Sequence, residues 1–436
     1  MRHSLIQLHR YAGLLLAPFL VVVGLTGSLL AFHDEMDRWL NPDLLTVPVP
    51  DSVDAAPAFD LFTLHEQIGQ REPRAQIDII RLRHEADKVW HFSLRPRIDL
   101  ETGKPFELSY TELYINPYTG ESTGTRVWGE ASLAKENIMP FLFRLHYSLA
   151  MPEHLLMFGV YILGIAALLW FFDCFTGFYL TLPPGKKPFS PADVQSNQQQ
   201  QHAYYFWRRW KSAWQIKASR FNYDLHRAGG LWLWPILLVM AWSSVAFNLH
   251  AVYQPVMSTI LNKRNLDAAL PTRENPIETP RVNMRTAQIL GRSIIDAVSK
   301  QQGFTVEHET FLLLDRERGV YFYHVKTDQE LGGKYGETVV ALDADTGALK
   351  LLITLNDDSV GDVVHRWITW LHTARVFGLP MQILICMTGL IVVTLSITGT
   401  VVWWRKRASG RRHQAKLKSR FSRESGTTHK LKSEDL

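Results

Sequence analysis

Cysteine is nearly absent from the 436-residue chain, which has two, Cys174 and Cys386. Both fall inside long apolar runs, so no disulfide framework can staple a soluble domain. There is no C-x-x-C-H, which excludes covalently attached c-type haem. Cysteine-ligated zinc and iron–sulfur clusters have no ligand set. Charge is also missing, but only locally. Tyr11 to Phe32, Ala228 to Leu249 and Val376 to Trp404 hold no charged residue, and Leu155 to Leu182 holds one, Asp173. Each run is long enough to cross a bilayer, which takes ~20 apolar residues. A small-residue cleavage site is lacking too. The first run ends Phe32-His33-Asp34-Glu35 and is too long for a signal-peptide core, so it reads as a span.

The mean hydropathy of −0.07 averages these runs with ordinary soluble sequence. Lys and Arg near the span ends give the orientation. Residues 1–10 carry two basic residues and no acid, 181–225 seven against two, and 405–436 eleven against three. These belong in the cytoplasm. Segments 34–140 and 251–364 carry nineteen acids against eleven bases and sixteen against twelve, and lie on the far side. The pI of about 9.0 is thus a topology signal and not a nucleic-acid signal. Membrane lipid is the expected partner of the spans and of the basic stretch Tyr204 to Trp214, and the basic tail reads as a solvated cytoplasmic segment in preference to one that touches anionic lipid.

The chain reads as an internal duplication. Leu8-His9-Arg10-Tyr11-Ala12-Gly13-Leu14 matches Leu225-His226-Arg227-Ala228-Gly229-Gly230-Leu231, and the same offset puts Pro18 on Pro235 and His33 on His250. Leu145-His146 precedes span two and Leu371-His372 precedes span four. Phe175-Thr176-Gly177 and Ile397-Thr398-Gly399 close them. The His-to-Gly interval differs by about one helical turn, which requires a local adjustment near Pro152 and Pro380. In the outer segments Leu113 to Gly120 matches Val340 to Gly347, each a strand, a turn closed by glycine and another strand. Further strands are expected at Ala75 to Leu82, Val89 to Leu94, Phe311 to Leu314 and Val320 to Val325, with helices at Phe59 to Gly69 and Thr286 to Lys300.

The expected fold is a membrane four-helix transmembrane bundle made by duplication, with two small α+β outer domains. Its parts are span one (1–33), the first outer domain (34–140), a lead-in and span two (141–182), a cytoplasmic connection (183–225), span three (226–250), the second outer domain (251–364), a lead-in and span four (365–404) and a basic tail (405–436). The connection reads as a linker containing Gln198 to Gln201, then an interfacial stretch from Tyr204 to Trp214 mixing Trp with Arg and Lys. The tail from Ser409 reads as disordered.

Seventeen histidines occur, and their depth is informative. His9 and His226 sit at the cytoplasmic mouths of spans one and three. His146 and His372 precede spans two and four on the far side. Related by the duplication, each pair faces across a pseudo-twofold axis, where a flat cofactor receives one ligand from each half. Two neutral imidazoles on opposite helices suit a six-coordinate b-type haem. Gly13 and Gly230 lie four residues after His9 and His226, on the same helical face, and clear space for a porphyrin edge. Arg10 and Arg227 are placed to pair with propionates. Interfacial His and Arg also arise as snorkelling anchors, which is the competing reading. His33 and His250 are alternative ligands for the outer haem. They cannot share a cofactor with His9, because 24 residues of helix span about 36 Å. His154 is a spare. His65, His84, His91, His308 and His324 lack metal-ligand spacing and read as surface residues. Asp173, near the inner end of span two, reads as a hydrated interfacial acid, and both cysteines as packing residues.

The Leu-His-Arg-x-x-Gly opening, the Leu-His before span two, the Asp-Leu-His-Arg opening of span three and the Tyr-Ile-Asn-Pro-x-Thr-Gly hairpin resemble the PepSY-associated transmembrane-helix family over roughly residues 1–405. The family includes di-haem ferric-siderophore reductases of the bacterial inner membrane. The resemblance implies PepSY-like outer domains, two b-type haems, and electron transfer to a ferric-siderophore in the periplasm that releases ferrous iron. Some relatives carry appended flavin and nicotinamide domains. The tail to Leu436 holds none, so the expected donor is external, a quinol or a cytoplasmic reduced flavin. Two rivals remain: a periplasmic binding or regulatory protein whose histidines are anchors, and a siderophore permease component. Reporter fusions test the topology beneath all three. Fusions after residues 190 and 410 are expected to report cytoplasm and those near residues 100 and 320 the far side, and a far-side signal from the tail would overturn the four-span reading.

Overall fold

The computed structural model describes residues 1–50, 59–183, 207–208, 210–332 and 335–431. The expected linker with Gln198 to Gln201 lies outside the described residues, as do positions 204–206 and 209 of the interfacial stretch. Within that stretch Trp207 meets Trp210, and Trp210 meets Trp214, edge to face.

The first half of the chain runs α1 (Arg2–Leu30), α2 (His33–Leu40), α3 (Pro42–Leu45), α4 (Leu61–Arg71), strands β1 to β6, α5 (Lys135–Ser148) and α6 (Leu156–Thr181). The second half runs α7 (Phe221–Trp232), α8 (Trp234–Asn248), α9 (His250–Leu261), α10 (Leu266–Ala269), α11 (Met284–Gln302), strands β7 to β10, α12 (Val360–His372) and α13 (Leu379–Leu431). Among the described residues three helices are long and apolar enough to cross a membrane, beginning at Arg2, Lys135 and Leu379; a fourth span exists if α7 and α8 count as one. That pair bends by 71° at Leu233. Pro235 has no N–H to give and its ring crowds the carbonyl four residues earlier, which accounts for a break there. The repeat-related Pro18 lies inside an unbroken α1. The tail also differs from expectation. The helix continues to Leu431, and 381–431 has no proline to stop it.

The chain divides into two compact units. One comprises Met1–Leu25, Ile165–Trp242 and Met387–Leu436, the other Thr26–Gly164 and Ser243–Cys386. In the first unit α1 and α13 approach closely at Gly24, where a β-carbon would stand 2.8 Å from the Gly389 carbonyl. Small residues permit such backbone contact between membrane helices.

The second unit holds the sheets. β3 (Trp90–Ser93), β5 (Glu112–Ile115) and β6 (Ser122–Arg126) form one antiparallel sheet in the order β3-β5-β6. β1 (Ala75–Gln76) pairs β4 (Arg95–Pro96). The larger sheet has the order β10-β9-β8-β7-β2, with β7 (Val306–Asp315), β8 (Val320–Thr327), β9 (Thr338–Asp343) and β10 (Leu349–Ile353) from the second outer segment. Its fifth strand, β2 (Ile79–Arg81), comes from the first segment and pairs β7, with Ile80 opposite Leu312. The two outer segments therefore share a sheet. Ten-residue β7 would otherwise offer an open edge, and β2 covers part of it. The cores interlock as well. Phe62 and Ile80 join Leu312, Tyr321, Val340 and Leu342, while Leu64 and Ile68, on the same α4 as Phe62, pack with Trp90, Phe92 and Leu113.

The repeated hairpin has one physical basis in both halves. The Asn116 side chain accepts from the Tyr118 N–H and that of Asp343 from the Asp345 N–H. Gly120 and Gly347 then both sit at φ 71°, the left-handed region that glycine tolerates.

A buried charge cluster anchors the smaller sheet. Arg126 Nε donates to Glu112 at 2.6 Å and its guanidinium reaches Asp37 at 2.9 Å. His91, expected at the surface, lies 2.9 Å from Glu112 and stacks on Tyr114. Burial alone would raise the Glu112 carboxyl, but the hydrogen bonds and charges of His91 and Arg126 outweigh it and hold it at about 2. A carboxyl so depressed contributes stability above its unfolded value near 4.5 that is lost as pH falls towards 2. Arg126→Met leaves two acids buried without their cation. It is expected to cost this unit about 3–5 kcal/mol, read by thermal or denaturant unfolding in detergent. An unfolding midpoint unchanged from wild type would show that the cluster carries no stability.

Candidate functional site

The duplication brings four histidines together as two pairs. In the first unit the His9 and His226 ring centres stand 6.1 Å apart. In the second unit those of His146 and His372 stand 6.4 Å apart. His33 and His250 are not brought together. His33 faces Asp34 and Phe143, and His250 faces Asp267.

Each of the four rings is tethered through Nδ1. In the first unit His9 Nδ1 meets Asp173 Oδ1 at 2.8 Å. His226 Nδ1 donates to the Leu395 carbonyl at 2.9 Å and lies 3.3 Å from Thr398 Oγ1. In the second unit His146 Nδ1 meets Thr26 Oγ1 at 2.9 Å and His372 Nδ1 meets Ser243 Oγ at 2.6 Å. A metal-ligating histidine commonly commits one nitrogen to such a partner, which fixes the ring and leaves the other nitrogen for the metal.

The partners obey the repeat. Thr26 and Ser243 are separated by the same 217 positions as His9 and His226. Asp173 and Leu395 are separated by the same 222 as Gly177 and Gly399. Glycine gives the rings room. A β-carbon at Gly399 would come within 2.9 Å of His226 Cε1, one at Gly177 within 3.4 Å of His9 Cε1, and one at Gly27 within 3.0 Å of His146 Cε1.

Backbone breaks follow both second-unit histidines. His146 lies in the last turn of α5, before Leu149 at φ 57° and Ala150 at φ 53°. His372 ends α12, before Ala374 at φ 54° and Phe377 at φ 61°. Left-handed non-glycine residues are strained and mark constrained places. They occupy the neighbourhood in which the repeat needed its one-turn adjustment.

A cavity of about 370 Å³ opens between His9 and His226. Gly13 and Gly230 line it, and nothing lies within 4 Å of where a β-carbon would stand on either. Arg2, Arg10, Arg227 and Lys406 also reach it. Arg227 forms an ion pair with the fully buried Asp224 at 3.2 Å, and its Nε is buried with no hydrogen-bond partner among the described residues. Arg2 is committed to the Leu180 and Leu182 carbonyls.

These residues fit a haem. Among the described residues no three His, Cys, Asp or Glu gather into a metal site, so each pair offers two nitrogens, the number a haem leaves for the protein. Two metal–imidazole bonds of about 2 Å, plus about 1 Å from each nitrogen to its ring centre, predict ring centres ~6 Å apart. The orphaned Arg227 Nε and the Arg10 guanidinium supply donors for carboxylates at the cavity.

Sequence reasoning missed the tethers. Asp173 was read as hydrated, yet its side chain is 11% exposed and bonds His9. Its signal was its place in an otherwise uncharged span. Thr26 and Ser243 had a signal too, the 217-residue offset, but small hydroxyls are common enough in spans to pass unnoticed.

The family model described as the PepSY-associated TM region matches residues 6–406. No curated protein matches the chain.

Filling the cavity tests the fit. Gly399→Val and Gly230→Leu are each expected to lower the haem-to-chain ratio of purified protein by one, as counted by pyridine haemochrome. A ratio unchanged in both variants would remove this cavity as a haem site.

Proposed function

The chain belongs to the PepSY-associated transmembrane family, and on that premise we propose that it is an inner-membrane reductase. It holds two b-type haems in a bundle of four spans, with both termini in the cytoplasm and two PepSY-like segments, joined by the β2–β7 pairing, in the periplasm. Its electron donor is a quinol or a reduced cytoplasmic flavin. Its substrate is a ferric-siderophore in the periplasm, from which ferrous iron leaves because hard oxygen chelators hold the reduced ion less firmly. The observation that carries this reading is the geometry of the two imidazole pairs, at 6.1 and 6.4 Å, each ring fixed through Nδ1.

Bound haem supplies one-electron transfer at each pair. The protein does the rest. His9 and His226 hold the inner group, and His146 and His372 the outer one. Thr26, Ser243, Asp173 and the Leu395 carbonyl fix the tautomer and the orientation of each ring. Arg10 and Arg227 neutralise carboxylates at the inner mouth. The apolar lining of the inner cavity, with Leu16, Leu20 and Leu237 among it, excludes water from the inner pair.

Purified protein is expected to carry two haems per chain, extractable into acid acetone because no cysteine can form a thioether. His146→Ala or His372→Ala should remove one haem and abolish reduction of external ferric chelates, while electrons from the inner side still reduce the remaining haem. His9→Ala or His226→Ala should remove the other and stop turnover driven from inside. A colourless wild-type protein would end the reductase reading.

A further inference from the structure

Four Nδ1 tethers hold the two pairs, and one of them is an ion. Three are neutral: the Leu395 carbonyl and the hydroxyls of Thr26 and Ser243. The fourth is the Asp173 carboxylate, 2.8 Å from His9. Asp173 pairs with no Lys or Arg among the described residues; His9 is its partner. It projects from α6, among Trp170 and Cys174, into the cavity between His9 and His226. The duplication does not repeat it, since the mate of Asp173 is Leu395. Charge in such a place is expensive and survives where it is paired.

We infer that Asp173 is a positioning residue that gives the conduit its direction, by lowering the reduction potential of the inner haem below that of the outer one. The inference rests on the haem reading above. A carboxylate that accepts the Nδ1–H of a ligating imidazole makes the other nitrogen a stronger donor. A stronger, more anionic donor favours ferric over ferrous iron. A hydroxyl or a carbonyl does so less, because neither bears a full charge. The Nδ1 partner of His9 is a carboxylate, whereas those of His146 and His372 are hydroxyls, and on this contrast an electron runs downhill from inner to outer. A quinol or reduced flavin would give up its two electrons one at a time at the inner pair, releasing its protons on that side, and each electron would cross singly to the outer pair. The ferric chelate takes it from there. No bond is made or broken at His9, and the shared proton stays between His9 and Asp173.

Spectroelectrochemistry of the detergent-solubilised full chain tests this. Wild-type protein should show two one-electron waves. His9→Ala should abolish the more negative wave. In Asp173→Asn, whose amide oxygen keeps a neutral acceptor in place, that wave should move positive by about tenfold or more in the reduced-to-oxidised ratio at fixed potential, 59 mV for one electron. The other wave should stay put. The ferric EPR signal of the inner haem should change with it, and Asp173→Glu should restore part of both effects. The inference is overturned if Asp173→Asn binds both haems and leaves the waves where they were. It is equally overturned if His9→Ala abolishes the more positive wave. Should Asp173→Asn shed the inner haem, the assignment of waves by His9→Ala decides. Wild-type protein without haem would sink the function above, an outcome distinct from either of these.

Discussion

A neutral imidazole has one nitrogen that donates and one that accepts, and in a membrane-embedded protein neither is cheaply left unmet. All four histidines of the two pairs meet this demand at Nδ1 through a neighbouring helix. The tethers come from α6 for His9, α13 for His226, α1 for His146 and α8 for His372. Each contact therefore fixes a ring and also ties two helices. The same hydrogen bonds that orient the rings specify which helices are neighbours.

The duplication explains both what could be read in the sequence and what could not. Histidine is scarce inside membranes, so His9 and His226 at one offset stood out, and the glycines four residues on gave the pair a shape. The glycine-closed hairpins were equally legible, because Asn116 and Asp343 make the same local bond to the backbone. β2 was different. A three-residue strand carries too little pattern to name its partner, and nothing local says that Ile80 faces Leu312 in the other half of the chain. The tail misled for a related reason. Its charge argued for disorder, yet charged Lys, Arg and Glu are good helix formers once a span has nucleated the helix, and α13 extends to Leu431.

Repeat-related positions have since parted. Pro18 sits inside a continuous helix while Pro235 follows a 71° break. Gly27 lies against His146, and its mate is Ser244. Asp173 faces an imidazole, and its mate is a leucine that serves through its backbone. The repeat exchanges His9 with His226 and His146 with His372, never one pair with the other, so the two pairs differ in their surroundings whatever the symmetry, and these departures make the two members of each pair unequal as well.

The sheets of the second unit matter to its histidine pair for a mechanical reason. His146 lies near the end of α5, and the start of α5 is held by the buried cluster. Arg126, already bound to Glu112 and Asp37, donates to the Glu136 carbonyl at 3.0 Å, and Asn41 donates to the Lys135 carbonyl at 3.2 Å. His372 ends α12, whose start is fixed by the Ser359–Asp362 capping box and by the Arg264 N–H on Asp362 at 3.0 Å. Further along α12, Trp370 donates to Glu337 beside β9 at 3.0 Å. Both histidine-bearing helices are thus tied to the folded segments, α5 through Arg126 of β6 and α12 through Arg264 and Glu337, and end in left-handed turns just past the histidine. A ligand pair must hold its separation to a few tenths of an ångström to grip one metal. The 6.4 Å between His146 and His372 is thus held between two helices that are each fixed to the folded segments at points away from the ring.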